Sequence, residues 1–138
     1  LTDVQQYPAY QPTDEDRASV LAWFEQYDAL ARARDFEAMA DVAVFPLNEV
    51  TDDGNGNASA TQLDRAAYVA QMAEVMGGGE YSMESTRTPH FLSDALVFVV
   101  TDAVLTAGDH SQQLRYGDLL VKVDGSWKFQ TMAQGGWG

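Results

Sequence analysis

The sequence predicts an α+β fold in which three N-terminal helices pack on a long, strongly curved, mostly antiparallel sheet, forming a cone with an internal pocket. Three observations predict it. Apolar residues recur at helical spacing in three segments before Gly77. After Glu80 the chain turns to strand-forming runs broken only at Ser93-Asp94, Gly108-Asp109 and Asp124-Gly125. Those runs exceed the usual length of about five or six residues, and long antiparallel strands coil or bend rather than lie flat.

Residues 1–12, with two prolines, two tyrosines and no periodicity, read as an extended arm, and residues 13–138 as one domain. Thr13 with Asp16 forms a capping-box pair, after which Val20, Trp23, Phe24, Tyr27, Leu30 and Ala31 make one apolar helix face. Arg32 and Arg34 suit the end of that helix, and Asp35 caps a short second one through Phe36, Met39 and Ala40. Pro46 is expected to stop that segment, with a strand over Leu47 to Asp52, turn formers through Asn57 and a return strand near Ser59 to Leu63. Asp64 caps a third helix carrying Tyr68, Val69, Met72, Val75 and Met76, which the glycines 77–79 end. Four strands then follow, at Tyr81 to Leu92, Ala95 to Ala107, Ser111 to Val123 and Ser126 to Ala133.

A length of 138 residues suits one hydrophobic core, and 46% apolar with 21% charged residues describes a folded globule. Eight basic against 21 acidic residues give a net charge of −13, which repels phosphate backbones and anionic bilayers, so neither nucleic acid nor membrane is expected as a partner. Cysteine is absent, excluding disulfides and thiolate chemistry. No apolar run approaches the roughly 20 residues of a membrane-spanning helix. The chain starts at Leu1 without an initiator Met; the cytoplasm is the expected compartment, with the periplasm or secretion left open. Both alternating faces of Leu96 to Leu105 are apolar, whereas three helices cover only one side of a sheet, so the other side is expected to meet a second copy in a homodimer.

The segment LAWFEQYDALARARDFEAMADVAVFPLNEV and the later VDGSWKF resemble the bacterial SnoaL-like members of the nuclear transport factor 2-like (cystatin-like α+β) superfamily. The resemblance spans roughly residues 14–134. It implies the cone-shaped fold and a pocket for a small hydrophobic ligand. Isomerases, hydrolases, cyclases, dehydratases and binding proteins share that fold, so it does not choose an activity. In the ketosteroid isomerase branch a first-helix tyrosine donates a hydrogen bond to a developing enolate while a carboxylate on the first strand moves the proton. Tyr27 falls in the tyrosine slot. The carboxylate slot falls on Thr51, flanked by Val50 and Asp52. Thr131 and Ala133 stand where relatives often keep a histidine on the last strand.

The catalytic candidates are Tyr27, through the slot the resemblance implies, and Asp102 and His90 from the residues themselves. Asp102 interrupts the apolar run VFVVTDAVL, where desolvation would raise its pKa. Arg115 shares parity with Leu119 and Val121, which places it on the main apolar face as an anion binder or a partner of Asp102. The expected pocket residues are Trp23, Phe45, Asn48, Glu49, Tyr68, Met72, Arg115, Tyr116 and Trp127, with one of Asn48 and Glu49 pointing inward. DGNGNASATQLD only partly matches a calcium loop, because Ala58 and Asp64 replace the required Gly and Glu, and two isolated histidines make no metal site. No nucleophile-elbow, Walker-type or dinucleotide-binding glycine pattern occurs, and no cofactor is expected. Three readings remain: a binder of a small hydrophobic molecule, a cofactor-free acid/base enzyme on a steroid-like or polyketide-like substrate, and a dimeric interaction module.

Overall fold

Thr13 closes the capping box its spacing predicts: its hydroxyl accepts from the Asp16 N–H at 3.0 Å, and the Asp16 carboxylate accepts from the Thr13 N–H at 2.9 Å. The structure is a computed structural model and describes residues 9–136; the first eight residues of the expected arm lie outside them. Helix α1 runs Asp14–Ala33 and ends at Arg34, whose φ of 54° turns the chain out of the helix. The Tyr10 hydroxyl donates to Asp16 at 2.7 Å and its ring lies 6.3 Å from Phe91, which ties the described part of the arm to the sheet.

Asp35 caps α2 (Phe36–Asp41) and Asp64 caps α3 (Arg65–Met76), each through a carboxylate that accepts a backbone N–H. Strand β1 spans Ala43–Asp52, so it begins before Pro46 rather than at Leu47. The last strand explains this: Phe129 N–H donates to Val42 C=O at 3.0 Å, and Ala43 pairs with Phe129. Pro46 sits in the register break between Ala43 and Asn48, where no ladder bond asks for the N–H it lacks. The remaining strands are β2 (Ala58–Leu63), β3 (Ser82–Ser93), β4 (Leu96–Ala107), β5 (His110–Val123) and β6 (Ser126–Gln134). β5 begins one residue before the expected Ser111, at His110, which pairs with Ala107. Asp124 and Gly125 both have positive φ, as a two-residue hairpin of this chemistry requires.

The six strands form one open sheet in the order β2-β1-β6-β5-β4-β3, antiparallel except where β1 runs parallel to β6. This is the α+β architecture expected, with a sheet that curves around the helices without closing. Cross-strand partners share a face, so register assigns the sides. Thr101 pairs with Arg87 on one neighbour and Tyr116 on the other, while Val99 pairs with Pro89 and Asp118, and Val97 with Phe91 and Leu120. These residues face the helices. The core there joins Val20 and Phe24 of α1, Met39 of α2, Tyr68 and Met72 of α3, and Leu47, Val97, Val99, Leu120 and Phe129 of the sheet. The opposite parity, with Phe98, Val100 and Asp102 on β4 and Arg115, Gly117 and Leu119 on β5, forms the outer face. No helix among the described residues is long and apolar enough to cross a membrane.

Candidate functional site

The apolar stripe of α1 delivers Tyr27 into the interior, where its hydroxyl lies 2.7 Å from that of Tyr68 on α3. Trp23, one turn earlier on the same stripe, stacks on the Tyr27 ring at 5.3 Å between centroids and 10° between planes. Phe129 meets both tyrosines from the sheet at 5.3 and 5.6 Å, and Phe45 lies 5.9 Å from Tyr68. Burial pushes the Tyr27 phenol well above its usual range, reinforced by Tyr68, and pushes Tyr68 up to about 12 against the opposing hydrogen bond from Tyr27. Both phenols are therefore neutral near pH 7; one donates to the other, and the second proton of the pair is left for another acceptor.

Beside this pair stands Asp118, on the inner face of β5 opposite Val99 and Met132. Desolvation lifts its carboxyl to about 7, opposed only by the Arg87 charge. Its carboxyl oxygens accept no hydrogen bond among the described residues, although the group is packed round by protein. Tyr27, Tyr116 and Asp118 nevertheless keep partial solvent exposure. These groups are hemmed in by protein yet still touched by water, and Asp118 is the acid among them.

Arg87 of β3 is the cation whose charge acts on Asp118. Its Nη1 and Nη2 donate to the two Asp28 carboxylate oxygens at 2.5 and 3.0 Å, Nη2 also donates to the Tyr116 hydroxyl at 3.3 Å, and Nε donates to Thr101 Oγ1 at 3.3 Å. Its guanidinium carbon lies 4.3 Å from the Phe24 ring centroid. Burial alone would lower the Arg87 pKa, but its bonds to Asp28 and its contact with Tyr116 raise it on balance. Burial also raises the Tyr116 phenol, with Arg87 opposing. On β1, Glu49 points inward and accepts a short hydrogen bond from Gln71 of α3.

The three expected catalytic residues do not converge. Tyr27 lies in the interior, whereas Asp102 is on the outer face, its side chain 50% exposed and paired with a 76% exposed Arg115 at 2.6 Å. Water solvates this Asp102, so the desolvation expected for it does not occur. His90 is exposed on the outer side of β3, opposite Phe98. Of the expected pocket residues, Trp23, Phe45, Glu49, Tyr68 and Tyr116 gather on the inner side near Asp118 and Tyr27. Asn48 points outward, bonded to Thr131 at 3.4 Å and Gln62 at 3.3 Å. Arg115 is likewise outside, because the inner parity of β5 belongs to Tyr116, Asp118 and Leu120. Met72 is closed into the core, and Trp127 is held there by its Nε1–H bond to Ser19 at 3.1 Å. Thr131 pairs with Asn48 and Ala133 with Val50 and Gly117, on the outer parity, so neither stands beside Asp118. Asp53 accepts from Asn55 N–H, Asn57 N–H and the Asn57 amide, and so organises its own hairpin loop.

Two open depressions are found among the described residues, neither is the enclosed pocket expected, and neither is lined by Tyr27, Tyr68 or Asp118. One of about 370 Å³ lies mainly on the outer face over Val50, Phe98, Val100, Gly117 and Ala133; the other, about 600 Å³, sits at the far end of β3 to β5 near Glu84, Thr86 and Gln113. The sequence reading overlooked Asp118, Arg87 and Asp28. The signal that singled out Asp102, a carboxylate inside an apolar strand, applies equally to Asp118 in RYGDLLVKV.

No family model matches the sequence, and no curated protein matches it in sequence. Solved structures do match in shape. A nuclear transport factor 2-like protein of unknown function from Pseudomonas putida superposes with a TM-score of 0.72 at 17% identity, over 91% of this chain and 89% of that one. A domain of unknown function with a cystatin-like fold from Nostoc punctiforme gives 0.68 at 13% identity, over 90% and 78%. A protein provisionally designated scytalone dehydratase, from Novosphingobium aromaticivorans, gives 0.62 at 19% identity, over 96% and 86%. The chain has the nuclear transport factor 2-like, cystatin-like fold, and the resemblance expected from its sequence holds at the level of architecture.

Proposed function

We propose that the chain binds a small hydrophobic molecule bearing a carbonyl or hydroxyl oxygen beside Asp118 and the Tyr27–Tyr68 pair, and that it moves a proton on that molecule without a cofactor. The observation that carries this reading is Asp118: largely packed round by protein but reached by water, without a side-chain hydrogen bond to the described residues, titrating at about 7 and set beside three tyrosines. Below that pH the neutral carboxyl donates a hydrogen bond to a substrate oxygen; above it the carboxylate takes a proton. The spare proton of the Tyr27–Tyr68 pair supports the same oxygen as charge develops on it. Trp23, Phe45 and Phe129 supply the apolar wall. The designation of the Novosphingobium relative as a dehydratase belongs to that protein, but a dehydration is one of the proton transfers such a site suits.

The test is α-proton exchange of 2-tetralone in D₂O, followed by NMR with the wild-type protein and Asp118→Asn, alongside tryptophan fluorescence to detect binding. The expected result is exchange faster than buffer that falls by at least about 100-fold in the variant. Fluorescence quenching with no exchange above buffer would leave a non-catalytic binder, the reading favoured by Thr51 at the first-strand carboxylate slot. The outer face, with Leu96 and Val104 exposed beside Phe98 and Val100, supports a homodimer through this sheet side. Sedimentation velocity reading a 15.1 kDa species across the micromolar range would refute it.

A further inference from the structure

The interior holds one feature that proton transfer by Asp118 and the tyrosine pair does not use. Asp28 follows Tyr27 directly, so it lies on the next position round α1, and it reaches β3 to engage Arg87 across both carboxylate oxygens. The Arg87 side chain is only 8% exposed and that of Asp28 23%. A buried guanidinium has five N–H donors, so those that Asp28 leaves free need other partners. Here the same Nη2 reaches the Tyr116 hydroxyl. A guanidinium has donors and no acceptor, so the Tyr116 oxygen must accept, and its own proton is turned away from Arg87. Tyr116 and Asp118 share the inner parity of β5, two residues apart, so that proton and the Asp118 carboxyl lie on the same side of the sheet.

We propose that Asp28 and Arg87 are positioning residues: Arg87, fixed by Asp28, makes the Tyr116 hydroxyl a donor on the Asp118 side and holds a positive pole beside Asp118. The inference rests on the inner side around Asp118 being the working site. Asp28 matters as much as Arg87, because it balances the positive charge and stops the guanidinium from swinging onto Asp118 or capturing an anionic ligand. The site so arranged selects neutral oxygenated molecules over carboxylates. The titratable groups that act on Asp118 or feel it are Tyr27 from α1, Tyr68 from α3, Arg87 from β3 and Tyr116 from its own strand, with Asp28 behind Arg87 and Glu49 of β1 one strand beyond Met132; β4 and β6 present Val97, Val99, Thr101, Phe129, Met132 and Gln134, none of which titrates. Arg87 is thus the one cation in the set.

The experiment is an NMR titration of the Asp118 carboxyl carbon in the whole chain, in wild type, Asp28→Asn, Arg87→Met and Arg87→Lys, with circular dichroism to confirm folding. Removing the counter-charge in Asp28→Asn exposes Asp118 to an unbalanced guanidinium, so its midpoint falls by about one unit; removing the cation in Arg87→Met raises it by about as much. Arg87→Lys restores the wild-type midpoint in part, because it returns the charge without the planar fork. Shifts of opposite sign from the two ends of one ion pair are not produced by general loosening of the fold. If Arg87→Met fails to fold, Asp28→Asn alone decides. Folded variants whose midpoints stay within a few tenths of a unit of wild type overturn the inference. A wild-type midpoint near the ordinary value of about 4 refutes the proposed proton transfer instead, while opposite shifts about that lower value would still sustain the positioning role.

Discussion

The hydroxyls of Tyr27 and Tyr68 meet at 2.7 Å, joining α1 to α3 over the inner face of the sheet. Removing either one leaves the other without that partner in a desolvated place. Tyr27→Phe and Tyr68→Phe should each lower stability by about 1–3 kcal/mol. The double variant should cost less than the sum of the two, with a coupling of about 1 kcal/mol in a denaturant double-mutant cycle. Additive costs would mean that the two hydroxyls do not share a bond.

Stability should depend on pH through Asp118. An unfolded aspartate titrates near 4, whereas the folded one titrates at about 7. Between those values the folded chain holds a proton that the unfolded chain has lost. The stabilisation from this group is complete below about pH 4 and disappears as pH rises through 7, amounting to no more than about 4 kcal/mol. Asp16 and Asp53, whose pKa values are lowered mainly by the Tyr10 hydroxyl and the Asn55 N–H respectively, act in the other direction, so the Asp118 contribution is read as a difference between proteins. Urea unfolding at pH 5 and pH 8 should show Asp118→Asn gaining on wild type at the higher pH. Parallel curves would refute the burial assigned to this carboxyl.

Gly117 lies directly beneath the Phe98 ring, and a Cβ built there would stand 2.5 Å from Phe98 Cζ. Gly117→Ala should destabilise by about 1–3 kcal/mol, although alanine ordinarily suits a strand better than glycine. Phe98→Leu in the same chain should recover most of the loss. Thermal melts of the single and double variants check the pair.

Asp102 and Arg115, exposed cross-strand neighbours, give the control. Asp102→Asn should change stability by less than about 1 kcal/mol, and it should leave 2-tetralone exchange at the wild-type rate. A large loss of exchange would return Asp102 to the chemistry.

The elements were legible because their signals are local. The Thr13–Asp16 pair, the caps at Asp35 and Asp64 and the turn at Asp124-Gly125 each act within a few residues. The site was less legible because it depends on which parity of a strand faces the helices. On β5 the outward Leu119 and Val121 are as apolar as the inward Tyr116 and Leu120, so alternation revealed two faces without naming the inner one. Arg115 was therefore expected inside and Asp118 was passed over. The Arg87–Asp28 pair spans 59 residues and leaves no periodic trace at all. On β1 the alternation of Asn48 and Glu49 narrowed the choice, and only the contact with Gln71 resolved it.

The parallel pairing of β1 with β6 sets the order in which the protein can be assembled. Asn48 and Thr131, bonded side by side, are 83 residues apart in the chain. A polypeptide emerging from the ribosome completes α1, α2, β1, β2 and α3 long before the strand that lies between β1 and the rest of the sheet has been made. Until then β1 keeps one unpaired edge and the helices keep an uncovered apolar stripe, a condition in which nascent chains adhere to one another or to chaperones. Folding is accordingly a late and collective event, slowed by long loop closure, and Asp118 meets its neighbours on α1, α3 and β6 only in its last step.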